Sequence, residues 1–473
     1  MKETTKGCPV CESNRTGYEF QAGTRKIERC EECNILFERS LFPDNRTRYL
    51  NEKLRKPSVN TPVIESEARV SQCIERLKDR GIQQSDRLWI GGIGHIQFVD
   101  CAKESGFEVA DFNLESIRAN TIDACVLLDI LGESSNPLEQ LLSVREVLKP
   151  DAILLITVPT LDSDEARQQK SRWDQFSTGR MTYFDRHGLS ALLVRVGYGR
   201  IKMYSETDGV IVICQKEICR NDRPLLSIVL PVYNEHATFE QLIKSILEKT
   251  FDTVDREIII VESNSTDGSR ELVQTYEARS DVKVIYENKP QGKGHAVRNG
   301  LNYASGSMIL IQDADLEYDI EDYDVLLAPI VSFRRLFVLG SRHKGHWKMR
   351  EFEDRNLLSG IFNLGQLFFT WLINITCGTQ LMDPFTMYKV FHRECLYGLE
   401  LESNRFDLDW EIVIKFVRKG LVPMEIPVNY VSRSFGEGKK VRLLLDPILW
   451  IIALLKFRYG RLYSNNTCER RLI

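Results

Sequence analysis

Asp313, Ala314, Asp315, Leu316 and Glu317 follow almost directly on Ser307 to Ile311, a short apolar run with the length of a buried strand. Acids two apart in an extended chain lie on one side of it. A twist at the strand end can aim Asp313 and Asp315 at one hard cation, and Glu317 continues the spacing. A lone triplet of this kind is usually a solvated turn, but here it is the last of four polar strand ends. Ser227 to Val232 contains Pro231 and runs into Tyr233-Asn234-Glu235. Glu257 to Val261 runs into Glu262-Ser263-Asn264-Ser265-Thr266-Asp267-Gly268. Val282 to Tyr286 precedes Gln291-Gly292-Lys293-Gly294-His295-Ala296-Val297-Arg298, which opens a helix. Open parallel sheets gather ligands at the carboxyl ends of their strands. A Mg2+ or Mn2+ ion on the acids would bridge the phosphates of a nucleoside-diphosphate sugar and neutralise the departing diphosphate. The glycines beside Lys293 would let backbone and amine approach those phosphates.

A second constellation is softer. Cys8-Pro-Val-Cys11 and Cys30-Glu-Glu-Cys33 are two CxxC knuckles that can converge on one tetrahedral Zn2+ ion. Four thiolates leave no open coordination position, so the metal is expected to be structural. A segment this short can hardly fold on a core alone, and the ion would supply the folding energy.

The elements that must position these groups alternate between strand and helix, which predicts a multidomain α/β chain. The boundaries read as a zinc-ribbon knuckle over 1–43, a Rossmann-like domain over 44–216, a polar linker over 217–224, a catalytic α/β domain over 225–440 and an amphipathic helix with tail over 441–473. In the second of these, Arg87 to Ile90 precedes Gly91, Gly92 and Gly94, and Asp123 to Ile130 and Ala152 to Val158 read as buried parallel strands. With 43% hydrophobic and 27% charged residues the 473-residue chain can bury ordinary cores. A net charge of −4 gives no reason to expect nucleic acid as a partner. The start, Met-Lys-Glu-Thr-Thr-Lys-Gly, lacks an apolar signal core, and twelve cysteines without an export signal fit a reducing compartment. A cytoplasmic location, at or near the inner face of the membrane, is expected.

Two families are suggested by these motifs. From Leu226 to Arg461 the chain resembles the inverting family-2 glycosyltransferases of the GT-A fold, near the dolichyl- and polyprenyl-phosphate sugar synthases. The likeness is carried by Pro-Val-Tyr-Asn-Glu, Glu-Ser-Asn-Ser-Thr-Asp-Gly, Gly-Lys-Gly-His-Ala-Val-Arg, Asp-Ala-Asp-Leu-Glu, Gly340-Ser341-Arg342, Asp383 to Lys389 and Phe406 to Glu411. The resemblance implies Asp313, Asp315 and Glu317 as metal ligands. It implies Pro231, Asn234, Glu235 and Glu262 at the donor nucleotide, with Asp267 steadying their loop and Lys293 and Arg298 on the donor side. Asp383 matches the family's catalytic carboxylate, with Asp409 and Glu411 as rival general bases. Arg433, Lys439 and Lys440 would hold an acceptor or donor phosphate. The implied acceptor is a polyprenyl phosphate, with a soluble glycan or small metabolite as the alternative.

From Gln84 to Lys216 the chain resembles the class I S-adenosylmethionine methyltransferases in its order of parts, through Val126 to Thr160 and Tyr183 to Leu189. Trp89 stands where that family has an acid, Asn113 stands at the ribose-gripping position, and Asn113 to Thr121 is too short for a normal helix and third strand. The expected domain is a degenerate scaffold that does not use S-adenosylmethionine. Two other classes are weighed against glycosyl transfer. A sugar nucleotidyltransferase would need a glycine-rich basic loop after the first strand, where this chain has Val232 to Glu235. A bifunctional enzyme would need the middle domain to methylate. Ile361 to Cys377 and Val441 to Tyr459 are each interrupted by polar residues. They read as buried or amphipathic helices, or as an interfacial pair with Lys456, Arg458 and Arg461 facing lipid headgroups.

Overall fold

The computed structural model describes residues 7–463 except 12, 23–24, 39–66, 93–94, 112, 135, 177–179, 218–222, 344–355 and 432–444. Arg433, Lys439 and Lys440 therefore lie outside the described residues. The chain forms two compact units, Met1–Cys219 and Arg220–Ile473.

In chain order the first unit runs β1 (Thr16–Ala22), β2 (Arg25–Cys30), β3 (Leu36–Glu38), α1 (Glu67–Asp79), β4 (Arg87–Gly92), α2 (His95–Glu104), β5 (Glu108–Val109), β6 (Ile122–Leu128), α3 (Pro137–Val147), β7 (Leu148–Pro159), α4 (Asp164–Gln169), β8 (Thr182–Tyr183), α5 (Arg186–Val196), β9 (Tyr198–Ser205) and β10 (Gly209–Lys216). The cysteine-bearing strands form an antiparallel sheet in the order β1-β2-β3-β8. Its last strand thus comes from far along the chain, with Leu36 opposite Tyr183. The larger sheet has the order β5-β4-β6-β7-β10-β9. β5, β4, β6 and β7 are parallel, and β10 is antiparallel to both its neighbours. Between β5 and β6 the described chain holds only a 3-10 turn, Leu114–Ser116, consistent with a span too short for a further strand. Local chemistry fixes the helix ends. Asn136 caps α3 by accepting from the Glu139 N–H ahead of Pro137, and α5 stops at the left-handed Gly197.

The second unit runs β11 (Leu225–Val232), α6 (His236–Glu248), β12 (Asp255–Glu262), α7 (Ser269–Gln274), β13 (Val282–Tyr286), α8 (Lys293–Tyr303), β14 (Met308–Ile311), α9 (Tyr323–Val331), β15 (Phe337–Ser341), α10 (Asn356–Cys377), β16 (Lys389–His392), α11 (Leu408–Arg418), β17 (Met424–Pro427) and α12 (Leu445–Tyr459). Its sheet order is β13-β12-β11-β14-β16-β15-β17. The first four are parallel, while β16 is antiparallel to β14 and β15. β11 is apolar on both faces because helices cover both. Leu226, Ile228, Leu230 and Val232 pack with Phe239, Leu242, Ile243 and Ile246, a stripe of 3.6-residue period on α6. This core holds the carboxyl ends of four adjacent strands in fixed register. No helix among the described residues is long and apolar enough to cross a membrane.

Candidate active site

The parallel register brings Val232 beside Glu262 and Val229 beside Ile311. Beyond those points the chain is held by side chains instead of the sheet. Asn234 adopts left-handed backbone at φ 53°, a region that asparagine tolerates better than most residues. Its N–H donates to Ser265 Oγ at 3.0 Å, and its Oδ1 accepts from the Thr266 N–H at 2.8 Å. Glu262 is fully buried. Its oxygens accept from the Asn264 and Ser265 N–H groups at 3.2 and 2.6 Å, and Arg270 Nη1 lies 2.7 Å away. A buried carboxylate needs such partners. Asp267 accepts from the His236 N–H at 3.1 Å and from the Ser269 N–H and hydroxyl at 3.0 and 2.6 Å. Burial pushes its carboxyl up, but these hydrogen bonds outweigh it and hold the group below the usual range. The Glu235 N–H donates to Ser269 Oγ at 2.9 Å. Asn234, Glu235, Glu262 and Asp267 therefore knit two loops into one rigid floor after Pro231.

The acidic segment after β14 is pinned from several directions. Buried Gln312 donates its N–H to Val229 O at 3.0 Å and its Nε2 to Asp313 O at 2.9 Å, and accepts from the Tyr323 hydroxyl at 2.8 Å. Thr238 Oγ1 donates to Ala314 O at 2.8 Å. Asp315, only 4% exposed, accepts from the Glu317 N–H at 3.2 Å. Asp313 is paired with Lys293 on the first turn of α8. Glu317 is engaged elsewhere: its Oε2 accepts from the Tyr430 hydroxyl at 3.1 Å and its carbonyl from the Val431 N–H at 2.8 Å. Among the described residues, Asp313, Asp315 and Glu317 do not converge as three ligands for one ion. Glu317 is thus held by Tyr430, while Asp313 and Asp315 are the two acids of the segment that act on Lys293. Two carboxylates still suit Mg2+ or Mn2+, whose remaining ligands in such sites are phosphate oxygens and water.

A second layer of charge adjoins these acids. Lys389 is fully buried with its Nζ 2.7 Å from Asp409 Oδ1, and it also donates to Thr386 O. Burial pulls the Lys389 ammonium down against the attraction of Asp409, and nearby Lys293 adds to the depression. Burial likewise opposes the charge on Lys293, but the carboxylates of Asp313, Asp409 and Asp315 outweigh it and raise the group. Two ammoniums and three carboxylates thus share one neighbourhood.

The other expected catalytic acids are committed to protein partners. Asp383 is fully buried and gripped by Arg342 through Nε at 2.8 Å, Nη2 at 2.7 Å and the backbone N–H at 2.9 Å, with Gln366 Nε2 at 3.0 Å. Burial pushes Asp383 up, and Arg342 more than reverses it, so the carboxyl lies below its ordinary range. Glu411 accepts from the Glu402 N–H at 2.9 Å and the Ser403 N–H at 2.8 Å and pairs with Lys415 at 2.6 Å. Arg298 donates to Ser403 O and Leu401 O, both at 3.0 Å, and to Asn404 Oδ1. Arg298 and Glu411 clasp the 401–404 segment from two sides. The glycines beside Lys293 face the same segment. A Cβ on Gly292 would lie 2.4 Å from Asn404 O, and one on Gly294 2.7 Å from the Ser403 and Arg405 carbonyls. Their small size admits a protein loop, where an approaching phosphate was expected.

Arg342, Gln366 and Lys389 carry no role in the sequence reading. Arg342 lies 41 residues from Asp383 and Lys389 lies 20 from Asp409, separations that leave no periodic trace. The only signal is that Arg342 and Lys389 belong to the segments around Gly340 and Asp383, and that Gln366 is a polar residue interrupting the apolar run Ile361 to Cys377. Of the basic residues expected at lipid headgroups, Lys456 pairs with Glu402 at 2.7 Å and Arg458 Nε donates to Thr376 O at 2.7 Å, while Arg461 is exposed.

In the first unit, Cys8 and Cys33 Sγ lie 3.5 Å apart, Cys11 and Cys30 Sγ 3.4 Å, and all four fall within 4.8 Å of one another. Zn–S bonds of about 2.3 Å imply tetrahedral edges of ~3.7 Å, so the cluster is sized for the ion. At the end of β4, the Trp89 indole comes within 2.4 Å of where a Cβ on Gly91 would stand.

The glycosyl transferase family 2 model matches residues 227–395. Over 235 residues the chain is 28% identical to the dolichol-phosphate mannosyltransferase of Pyrococcus furiosus, covering 49% of this chain and 64% of that protein, which is less than two thirds of its length. Over 232 residues it is 29% identical to a dolichyl-phosphate beta-glucosyltransferase of Trichomonas vaginalis, covering 46% and 68%. Among solved structures, glucosyl-3-phosphoglycerate synthase from Mycobacterium tuberculosis, with Mn2+, UDP-glucose and phosphoglyceric acid, superposes with a TM-score of 0.38 at 20% identity, covering 50% of this chain and 80% of that one. The second half of this chain carries a family-2 glycosyltransferase domain.

Proposed function

We propose that the second unit transfers a sugar from a nucleoside-diphosphate sugar to an acceptor, with inversion at the anomeric carbon. The observation that carries this reading is the convergence of Asp313 and Asp315, which follow β14, with Lys293 at the start of α8, on the carboxyl-end side of the parallel sheet and inside the matched domain. Asp313 and Asp315 would hold Mg2+ or Mn2+, which supplies charge to neutralise the leaving diphosphate. The floor built from Pro231, Asn234, Glu235, Glu262 and Asp267 would receive the nucleoside, and its internal hydrogen bonds favour a preformed pocket over one that orders on binding.

For a hydroxyl acceptor, Asp409 is the preferred base. Glu411 and Asp383 are fully buried in contacts that hold the 401–404 segment and Arg342, whereas Asp409, paired with Lys389, is less completely buried and its charge acts on Lys293. A phosphate acceptor is already anionic and needs no base. A polyprenyl phosphate is favoured, supported by the names of the two relatives and by the apolar face of α10 and α12 as a peripheral membrane contact. Arg433, Lys439 and Lys440 stay in this proposal as its phosphate ligands.

The tetracysteine cluster is proposed as a structural Zn2+ site. The middle domain is proposed as a methyltransferase-like scaffold, a reading supported by its sheet order and by the indole of Trp89 against Gly91. Calorimetry with S-adenosylmethionine should give no binding isotherm, and a saturable one would overturn that assignment.

A thermal-shift screen of UDP- and GDP-sugars with Mg2+ or Mn2+ tests the main proposal. A cognate donor at about 100 times its Kd stabilises by about 2.7 kcal/mol. No shift from any nucleotide sugar, with or without metal, would refute it.

A further inference from the structure

We infer that Lys293 is a stand-in cation: its ammonium, paired with Asp313, competes with the divalent ion for that carboxylate, so that the ion is admitted together with the diphosphate and not before it. This rests on the function proposed above. Lys293 is ion-paired with Asp313, one of the two acids proposed above to hold the metal. The helix that carries it cannot easily shift, because Gly292 and Gly294 are packed on the Asn404 and Arg405 backbone and the His295 N–H donates to Asn404 O at 3.0 Å. The side chain, by contrast, is long and unbranched, with three donors that can be re-aimed.

Charge makes the arrangement a switch. Asp313, Asp315 and Asp409 oppose Lys293 and Lys389, so these five side chains sum to one net negative charge. A divalent ion arriving alone meets that single charge and a carboxylate already engaged. A diphosphate arriving alone meets Asp315 and Asp409, which repel it. When both arrive, Lys293 can turn from Asp313 to a phosphate oxygen and the freed carboxylate can turn to the metal. Each ligand removes the obstacle to the other, which is positive coupling and is reciprocal. Lys389 cannot substitute, since it is buried against Asp409 and Thr386.

The test is Mn2+ binding, followed by electron paramagnetic resonance of the free ion, for the full chain and its Lys293→Met and Lys293→Gln variants, alone and with UDP or GDP. The proposal expects wild type to bind Mn2+ weakly alone and at least about tenfold more tightly with the nucleotide. Both variants should bind Mn2+ alone at least about tenfold more tightly than wild type, with the nucleotide adding much less. Variants that bind Mn2+ alone no better than wild type would overturn the stand-in role while leaving the glycosyl-transfer reading intact. Wild type and variants that bind no Mn2+ even with either nucleotide would instead sink the metal site on which both readings rest. Two different replacements, with melting curves for each, separate loss of the ammonium from loss of fold.

Discussion

Asp315 and Arg342 illustrate two ways in which one side chain can matter. Asp315 accepts a hydrogen bond from the Glu317 N–H, which asparagine can also accept. Asp315→Asn therefore removes charge while keeping the size of the side chain and its acceptor for that bond. It should lower metal-dependent kcat/KM by about 100-fold or more, the scale for losing one preorganised electrostatic group, with the melting temperature changed by less than about 3 °C, equivalent to roughly 1 kcal/mol. Near-wild-type turnover would remove Asp315 from the metal site. Arg342 is the opposite case. Arg342→Met strands the fully buried Asp383, and breaking such a pair costs about 3–5 kcal/mol. Denaturant unfolding should register this at neutral pH. Asp383 is depressed in the folded state, so the ion-pair contribution is present above the unfolded value near pH 3.9 and is lost as pH falls through the lower folded value. The wild-type contribution should therefore persist down to about pH 4, whereas the stranded Asp383 of the variant, left with the upward push of burial, takes up a proton as pH falls, so the gap should narrow steadily from neutral pH downward. A gap that stayed constant from pH 7 to below about pH 4 would assign the stabilisation to another group.

At the scale of elements, the cysteine knuckles do more than fold themselves. β8 completes their sheet, the Glu38 N–H donates to Met181 O at 2.9 Å, Asn34 Nδ2 donates to Asp185 at 3.3 Å and Arg195 Nη1 donates to Val10 O at 2.6 Å. Chelating the proposed Zn2+ should therefore loosen β8 and the start of α5 along with β1 to β3. In hydrogen exchange after chelation, the Glu38 N–H and the β8 region should lose protection while β6 and β7 keep theirs; an unchanged β8 would mean that the ribbon is held independently of the metal. None of this coupling was legible beforehand, because Thr182 and Tyr183 are a strand only by virtue of pairing with β3. The elements that could be read were those whose signal is local. β11, β12 and β14 are continuous apolar runs, as central parallel strands must be, and the knuckles announce themselves by spacing. β15, β16 and β17 are four or five residues long and take their identity from the sheet edge they complete. The same limit applies to the site: Asp313 and Asp315 were legible from strand-end chemistry, but the diversion of Glu317 to Tyr430 depends on a partner more than a hundred residues away.

On the scale of the whole second unit, α10 and α12 divide their apolar residues between two jobs. Phe369 and Ile373 point into the protein, and Phe369 meets Trp410 and Trp450 edge-on at 5.4 and 5.2 Å. Leu364, Leu367, Phe368, Trp371 and Ile375 recur at helical spacing and are exposed, with Trp371 at 56%. Ile451, Ile452, Leu455 and Tyr459 on α12 are exposed as well. Paired helices with outward apolar faces are what an interfacial contact requires, and patches of this kind mark interaction surfaces. The expected basic fringe is partly consumed, because Lys456 is paired with Glu402 and Arg458 is bonded to Thr376 O. Association with lipid should then be driven by apolar burial more than by charge. Co-sedimentation with phosphatidylcholine vesicles should be nearly as strong as with vesicles carrying phosphatidylserine, and raising the salt should weaken it little. Burying one large apolar side chain contributes about 1.5–3 kcal/mol, so Trp371→Glu should cut vesicle binding by about tenfold or more while leaving the melting curve close to wild type. Binding confined to anionic vesicles and abolished by salt would move the contact to basic residues and away from this face. No sedimentation with either vesicle would mean that the exposed stripe serves something other than lipid.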